Sequence, residues 1–413
     1  ILVWQSRWLL QPTTYNQFST TIQKDAPIKL GVLYQLDDAS GENDKPVIDT
    51  INLTVDAINQ SGGLLGKQIE VVIANSGATE SAHANAANRL LNEPNISAVI
   101  GCPTSACRKV VKPLFERKDH LLFYPSAHEG IEQSKNIIYS GTTPNQLIVP
   151  SVLWSIDNIG PQLFLVGSQQ IYSHVVNALI NDLARSTGAV VVGEYYLEDD
   201  IGNIDEIIST IRVQRPALVI STATTDEHRL LMRKIRSAGF ESNKLPALSF
   251  NKSRWSLSAE DLELFAGDYI GASYFPGATD EINRAFISSY QEQFGTNRII
   301  EDSIVSAHAS VSLWALAVET SNSADPKVLR QHLPGLTFAG LDGPIAIDRY
   351  NNHVWKASSI AKIQPKGTYD VVWNSGAPVS PSPYPRSRNR ETWEWLINRL
   401  YESWDNRWTG STT

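Results

Sequence analysis

Three hydroxyl-bearing side chains, Ser105, Tyr124 and Ser126, lie where a small ligand could be held by hydrogen bonds. They share the stretch 100–130, IGCPTSACRKVVKPLFERKDHLLFYPSAHEG. The apolar run 96–100 reads as a buried strand, a Gly-Cys-Pro turn follows, and Val110, Val111, Leu114 and Phe115 give a helical pattern that starts at Ser105. Residues 121–125, LLFYP, close the unit as a second strand. Strand, helix, strand is the order of a right-handed crossover in a parallel sheet, and in such sheets ligands sit beyond the carboxyl ends of the strands. The N–H groups that open a helix at Ser105 carry partial positive charge and suit a carbonyl or carboxylate oxygen. The plainer reading makes Ser105 a helix cap and Tyr124 half-buried core. Arg108, rather than Glu or Gln, stands three residues beyond Ser105, so a full capping box is absent.

Catalytic patterns are missing. The segment 61–68, SGGLLGKQ, has Ser in place of the first glycine of a phosphate loop and Gln after the lysine, which leaves a helix stop and a turn. His128–Glu129 has no second His four residues on, and the eight His residues are scattered without ligand spacing. No G-x-S-x-G elbow is present. No metal or cofactor is therefore expected, and an amidohydrolase is the disfavoured enzyme alternative. A net charge of −8 argues against nucleic acid as a partner. The two cysteines, Cys102 and Cys107, flank one turn; a local disulfide is open to them, but two small buried thiols are the preferred reading.

Alternating strand and helix patterns run from residue 28 to about 145 and begin again from there to about 275, which predicts two doubly wound parallel α/β lobes. Helical patterns at 280–294 and 303–320 lack neighbouring strands and are expected to return to the first lobe. The expected division is a tail at 1–27, lobe 1 at 28–145 plus 276–338, lobe 2 at 146–275 plus 339–378, and a linker with an amphipathic helix at 379–413. Residues 344–348 and 359–363 flank Asn351–Asn352–His353 and read as the arms of a hairpin. Residues 221–224, STAT, end a second-lobe strand, which makes Thr222 a further ligand candidate. Residues 1–10 are too short and interrupted for a membrane span and lack a signal-peptide layout. They read either as the trailing end of a span or as a cloning remnant, and the lack of Met at position 1 suggests a fragment or processed form. In the tail, Trp393, Leu396, Ile397, Leu400, Tyr401, Trp404 and Trp408 form an aromatic stripe at helical spacing. It either packs on the chain's own lobes or docks on a partner or membrane surface.

Four segments carry a family resemblance. GCPTSACRK at 101–109 is similar to a G-C-x-x-S-x-x-R-K motif, and LLFYPSAHEG at 121–130 to L-L-x-Y-P-x-x-x-E-G. SGTTPNQ at 140–146 is similar to G-x-x-P-N-Q, and RYNNHVWKASSIAKI at 349–363 to a late hairpin. Across roughly 28–380 the chain resembles type I periplasmic binding proteins, in the branch of urea and short-chain-amide receptors and an amide-sensing regulator. The resemblance implies a two-lobed clamshell with a multi-strand hinge, closing on a small polar solute that is amide-, urea- or amino-acid-like. Ser105 and Tyr124 match contact positions, and Ser126 lies beside them. The family's second-lobe motif, G-[ST]-D-Y-x-Y-P-R, corresponds to GSQQIYSH at 167–174. Tyr172 is retained while Gln169 and Gln170 replace Asp and Tyr, so Gln170 and Tyr172 join the expected site. The replacement predicts poor binding of acetamide and urea. Implied partners are the solute and either a membrane-tethered signalling module or an ABC transporter permease, with a homodimer as a candidate assembly. A periplasmic or otherwise extracytoplasmic location follows, tethered in the sensor reading, with the cytoplasm as the alternative.

Overall fold

The computed structural model describes residues 26–36, 38–198, 202–250, 259–277, 281–296 and 298–410. The apolar stretch at 1–10 and most of the expected N-terminal tail lie outside the described residues.

The chain opens as an alternating series: β1 (Ile28–Tyr34), α1 (Asp38–Gln60), β2 (Ile69–Asn75), α2 (Glu80–Asn92), β3 (Ile96–Gly101), α3 (Ser105–Lys118), β4 (Leu122–Tyr124) and β5 (Ile137–Tyr139). The five strands form one parallel sheet in the order β2-β1-β3-β4-β5. All six residues of β3 are buried, as a strand covered on both faces requires. α3 stops at Asp119, which takes a left-handed conformation with Arg117 and Lys118 in the turn before it. Basic residues there offset the negative end of the helix dipole.

A second series follows: α4 (Ile148–Asn158), β6 (Gln162–Ser168), α5 (Ile171–Thr187), β7 (Val190–Leu197), α6 (Ile204–Gln214), β8 (Leu218–Ser221), α7 (Thr225–Ser237), β9 (Ala247–Phe250), α8 (Ala259–Leu264) and β10 (Tyr269–Ala272). After it come α9 (Glu281–Phe294), α10 (Asp302–Ser321), α11 (Pro326–His332), β11 (Thr337–Gly340), β12 (Gly343–Ile347), β13 (Val354–Trp355), β14 (Ser359–Ile363), β15 (Tyr369–Asn374) and α12 (Arg390–Ser403). The second sheet has seven strands in the order β15-β14-β10-β9-β8-β6-β7. Its members are parallel except β14, which runs antiparallel to both β10 and β15.

The described residues up to Ser126, with Gln133–Gly141 and Gly277–Trp355, form one compact unit. Ala127–Glu132, Thr142–Pro276 and the residues from Lys356 onward form the other. In the first unit α10 is buried nearly all round, and Trp314 within it is fully enclosed and donates from Nε1 to Ser97 Oγ at 2.9 Å. A helix buried on all sides shows little amphipathic pattern.

One expectation needs correction. The strand at 359–363 does not pair with 344–348. Instead β12 pairs with β11 and the short β13, while β14 joins the seven-stranded sheet. The Asn-Asn turn is real, with Asn352 at positive φ, but its second arm is only Val354–Trp355. The chain therefore enters the second unit at Lys356, and residues 339–355 belong with the first unit. The aromatic stripe of the tail follows the first of its two readings and packs on the chain's own second unit: Trp393 is fully buried, Ile397 nearly so, and α12 packs against α5. No helix among the described residues is long and apolar enough to cross a membrane.

Candidate functional site

In the first sheet β1 lies between β2 and β3, so the strand order reverses there. In the second sheet the same reversal falls between β6 and β8. These are the switch points at which adjacent turns diverge beyond the carboxyl ends of strands. Ser105 follows β3, Gln170 and Tyr172 follow β6, and Thr222 follows β8, each at its own unit's switch point. Tyr124 ends β4 and Ser126 follows it.

The turn after β3 is fastened covalently. Cys102 and Cys107 form a disulfide, with Cα atoms 5.4 Å apart, which overturns the preference for two thiols. Cys102 adopts a left-handed conformation at φ 68° that bends the chain out of β3, and the first turn of α3 brings Cys107 back to it. The helix cap is Thr104, whose Oγ accepts from the Cys107 N–H at 3.1 Å. Ser105 is the first helical residue, so its hydroxyl is not the cap. Its Oγ accepts from Arg108 Nη1 at 3.2 Å. An oxygen that accepts from a guanidinium is a hydroxyl polarised to donate, and Ser105 therefore suits an acceptor atom.

Arg108 is fully buried, and its guanidinium lies over the ring of Tyr124, 4.6 Å from the centroid. Such a contact, away from water, contributes on the order of 1–2 kcal/mol. Tyr124 is itself fully buried, and its carbonyl accepts from the N–H groups of Ser140 and Gly141. Ser126, half-buried, donates to the Cys102 carbonyl at 3.4 Å. Ser105, Tyr124 and Ser126 thus belong to one cluster centred on the disulfide-closed turn. Arg108 and Thr104 belong to it as well, although neither was a candidate.

The turn after β6 is built differently. Gln170 is the extended residue before α5, with no side chain capping that helix, and its N–H donates to Ser168 O at 2.8 Å. Tyr172 is half-buried against the second unit's core. Thr222 is buried and committed inward: Oγ1 donates to Asn177 Oδ1 at 2.8 Å, and its carbonyl accepts from Ser173 Oγ at 2.7 Å. Thr222 braces the turn rather than presenting its hydroxyl hydrogen to a solute. His174, which stands where the family motif has Arg, was not among the candidate residues. Its ring stacks on Tyr196 at 3.6 Å, meets Trp404 edge-on at 5.0 Å, and places Nε2 3.2 Å from Gln169 Oε1. Burial pushes its pKa down to about 4, so the imidazole is neutral near pH 7. Its four-residue spacing from Gln170 was the available signal, masked by the departure of this segment from the family motif. Among the described residues no group of three or more His, Cys, Asp or Glu is placed to hold a metal ion.

Two α/β units with parallel sheets, each carrying polar side chains at its switch point, define the fold of the type I periplasmic binding proteins. The family comparison agrees: the periplasmic binding protein domain matches residues 28–390, and the chain belongs to that family. Solved structures share the fold at low identity. A solute-binding protein of an ABC transporter from R. palustris, in complex with 4-hydroxybenzoate, is 14% identical, covering 86% of this chain and 98% of that one, with a TM-score of 0.77. A branched-chain amino acid transporter substrate-binding protein from Streptococcus pneumoniae, in complex with isoleucine, is 17% identical, covering 86% and 100%, with a TM-score of 0.72. A limonene hydroxylase of Geobacillus stearothermophilus is 23% identical over 143 residues, which are 33% of this chain and 26% of that protein. The match thus spans about a quarter of that relative's length.

Proposed function

We propose that this protein is a receptor for a small polar organic solute. The observation that carries the reading is the buried Ser105–Arg108–Tyr124 cluster at the end of β3 and β4. It offers a polarised hydroxyl and a fixed positive charge where a solute oxygen would be received. Ser126 is a further contact in the same unit, and in the second unit Gln170 and Tyr172 are the candidates at their own switch point, where Thr222 acts by holding Asn177 and Ser173. A carboxylate or amide oxygen is the group this chemistry suits, as in amino acids, aromatic acids and amides. Replacement of Asp and Tyr by Gln169 and Gln170 disfavours the smallest amides, acetamide and urea.

The reading favoured for the bound state is delivery to an ABC transporter permease, the context of the solved relatives. Signalling to a tethered module is the second reading. The aromatic helix that could have docked on such a module, α12, packs on its own unit. An extracytoplasmic location is supported by the disulfide, since such bonds persist mainly in oxidising compartments. The test is a thermal-shift panel of branched-chain amino acids, hydroxybenzoates, short amides and urea. A solute bound by the native state alone raises the melting temperature in a concentration-dependent way. Stabilisation by at least one acid or amino acid, with none by acetamide or urea, is expected. A flat response across the panel with equal turnover-free stability would remove the receptor reading for these solute classes.

A further inference from the structure

The Pro/Ser stretch at 378–387 has the composition of an exit linker, yet it is laced into the second unit. The chain enters that unit at three places, 127–132, 142 onward and 356 onward, and residues 379–383 are bonded to all three. Val379 N–H donates to Lys356 O at 2.8 Å, and its carbonyl accepts from Gln146 Nε2 at 2.8 Å. Ser380 O accepts from Asn145 Nδ2 at 2.8 Å, and Ser382 N–H donates to Asn145 Oδ1 at 2.7 Å. Pro383 O accepts from Ile131 N–H at 2.6 Å. The approach leaves no room at the neighbouring Gly130, where a Cβ would fall 2.4 Å from that same carbonyl.

The other end of the segment reaches the candidate turn. Gly410 N–H and Thr409 Oγ1 both donate to Gln169 O, at 2.7 and 3.1 Å, and Thr409 forms an antiparallel bridge with Gln170. Between the ends, Arg388 makes a two-pronged contact with Asp182 on α5 at 2.7 and 3.0 Å. Trp404 lies against His174, whose ring nitrogen meets the Gln169 amide. Gly410 is tightly fitted, since a Cβ there would lie 2.5 Å from Trp404 Nε1.

We infer that residues 379–410 are the positioning element of the second unit's candidate turn. Thr409 and Gly410 set the backbone of Gln169 and Gln170, and Trp404 acts through His174 on the Gln169 amide. The same segment ties that turn to the three places where the chain enters the unit. The role assigned to the turn rests on the proposed receptor function; the clamp is measurable without any solute.

Hydrogen–deuterium exchange of the full chain tests it. Gly410→Val should raise exchange at 169–172 about tenfold, the opening expected when two hydrogen bonds are lost, while β6 amides at 164–166 stay protected. Thr409→Val removes only the side-chain bond and should give a smaller rise at the same amides, and it remains informative if Gly410→Val fails to fold. Ile211→Val, which trims the second unit's core on α6 outside this segment, should leave 169–172 as in the unaltered chain. Unchanged exchange in Thr409→Val, or an equal rise in Ile211→Val, would overturn the inference. Absence of any bound solute would instead overturn the receptor reading and leave the clamp standing.

Discussion

The turn after β3 is fastened by a bond between Cys102 and Cys107, five residues apart, whereas the turn after β6 is fastened by Thr409 and Gly410, some 240 residues downstream. Both turns leave a parallel strand at a switch point and lead into a helix. The first therefore carries its own restraint, written within one motif, and depends little on the rest of its unit. The second depends on a segment far along the chain, whose Trp393 is buried in the same unit's core. Local covalent restraint and remote non-covalent restraint should fail independently.

The largest effect is expected from the tail. Trp393→Ala empties a fully buried site and should cost about 3–5 kcal/mol, read as a lower urea midpoint of the second unit. Exchange at 102–107 should be untouched. Loss of protection in both turns together would break the comparison.

Acid should act next, through two desolvated histidines, one from each unit. His174 and His308 are both pushed down to about 4 by burial, against about 6.5 in an unfolded chain. A folded pKa below the unfolded value means that the unfolded chain binds more protons between the two. The stabilisation is complete above about pH 6.5 and is lost as pH falls towards 4, by roughly 3 kcal/mol for each group. Urea titrations from pH 7 to pH 4.5 should show that fall, and His174→Phe should flatten it for the second unit alone.

The disulfide comes third. Loop-closure entropy for so short a ring gives about 2 kcal/mol, so the Cys102→Ser/Cys107→Ser double variant should remain folded. Its exchange should rise at 102–108 and around Ser126, which donates to the Cys102 carbonyl, and stay unchanged at 169–172. A rise in the second turn alone would reverse the assignment of restraints.

What was legible in the sequence follows the same division between local and remote. Runs such as 96–100 and 121–125 read as strands because both faces are buried, and the flanking helices show their apolar periods. Ser105, Tyr124 and Ser126 were found together because one strand–helix–strand unit carries them all. The cap was assigned one residue late, because Thr104 and Ser105 are adjacent hydroxyls and only backbone dihedrals separate the cap from the first helical residue. Oxidation of the cysteines is a chemical state that spacing alone leaves open. β14 was misplaced because its partners, β10 and β15, are chosen by a sheet edge formed about 90 residues earlier and a strand still to come. The tail's contacts with Ile131, Asn145 and Gln169 leave no periodic trace, since on the tail's side they run mainly through backbone groups that every sequence possesses.

The most direct test of the receptor reading is calorimetric titration of the unaltered chain and of Ser105→Ala with the panel solute that stabilises it most. Loss of one hydrogen bond to a neutral acceptor should cost about 0.5–1.5 kcal/mol, and more to a charged one. Saturable one-site binding, weakened several-fold or more by Ser105→Ala at unchanged melting temperature without solute, is the predicted result. Equal affinity in the two proteins would contradict the assignment of Ser105 and with it the cluster on which the receptor reading stands.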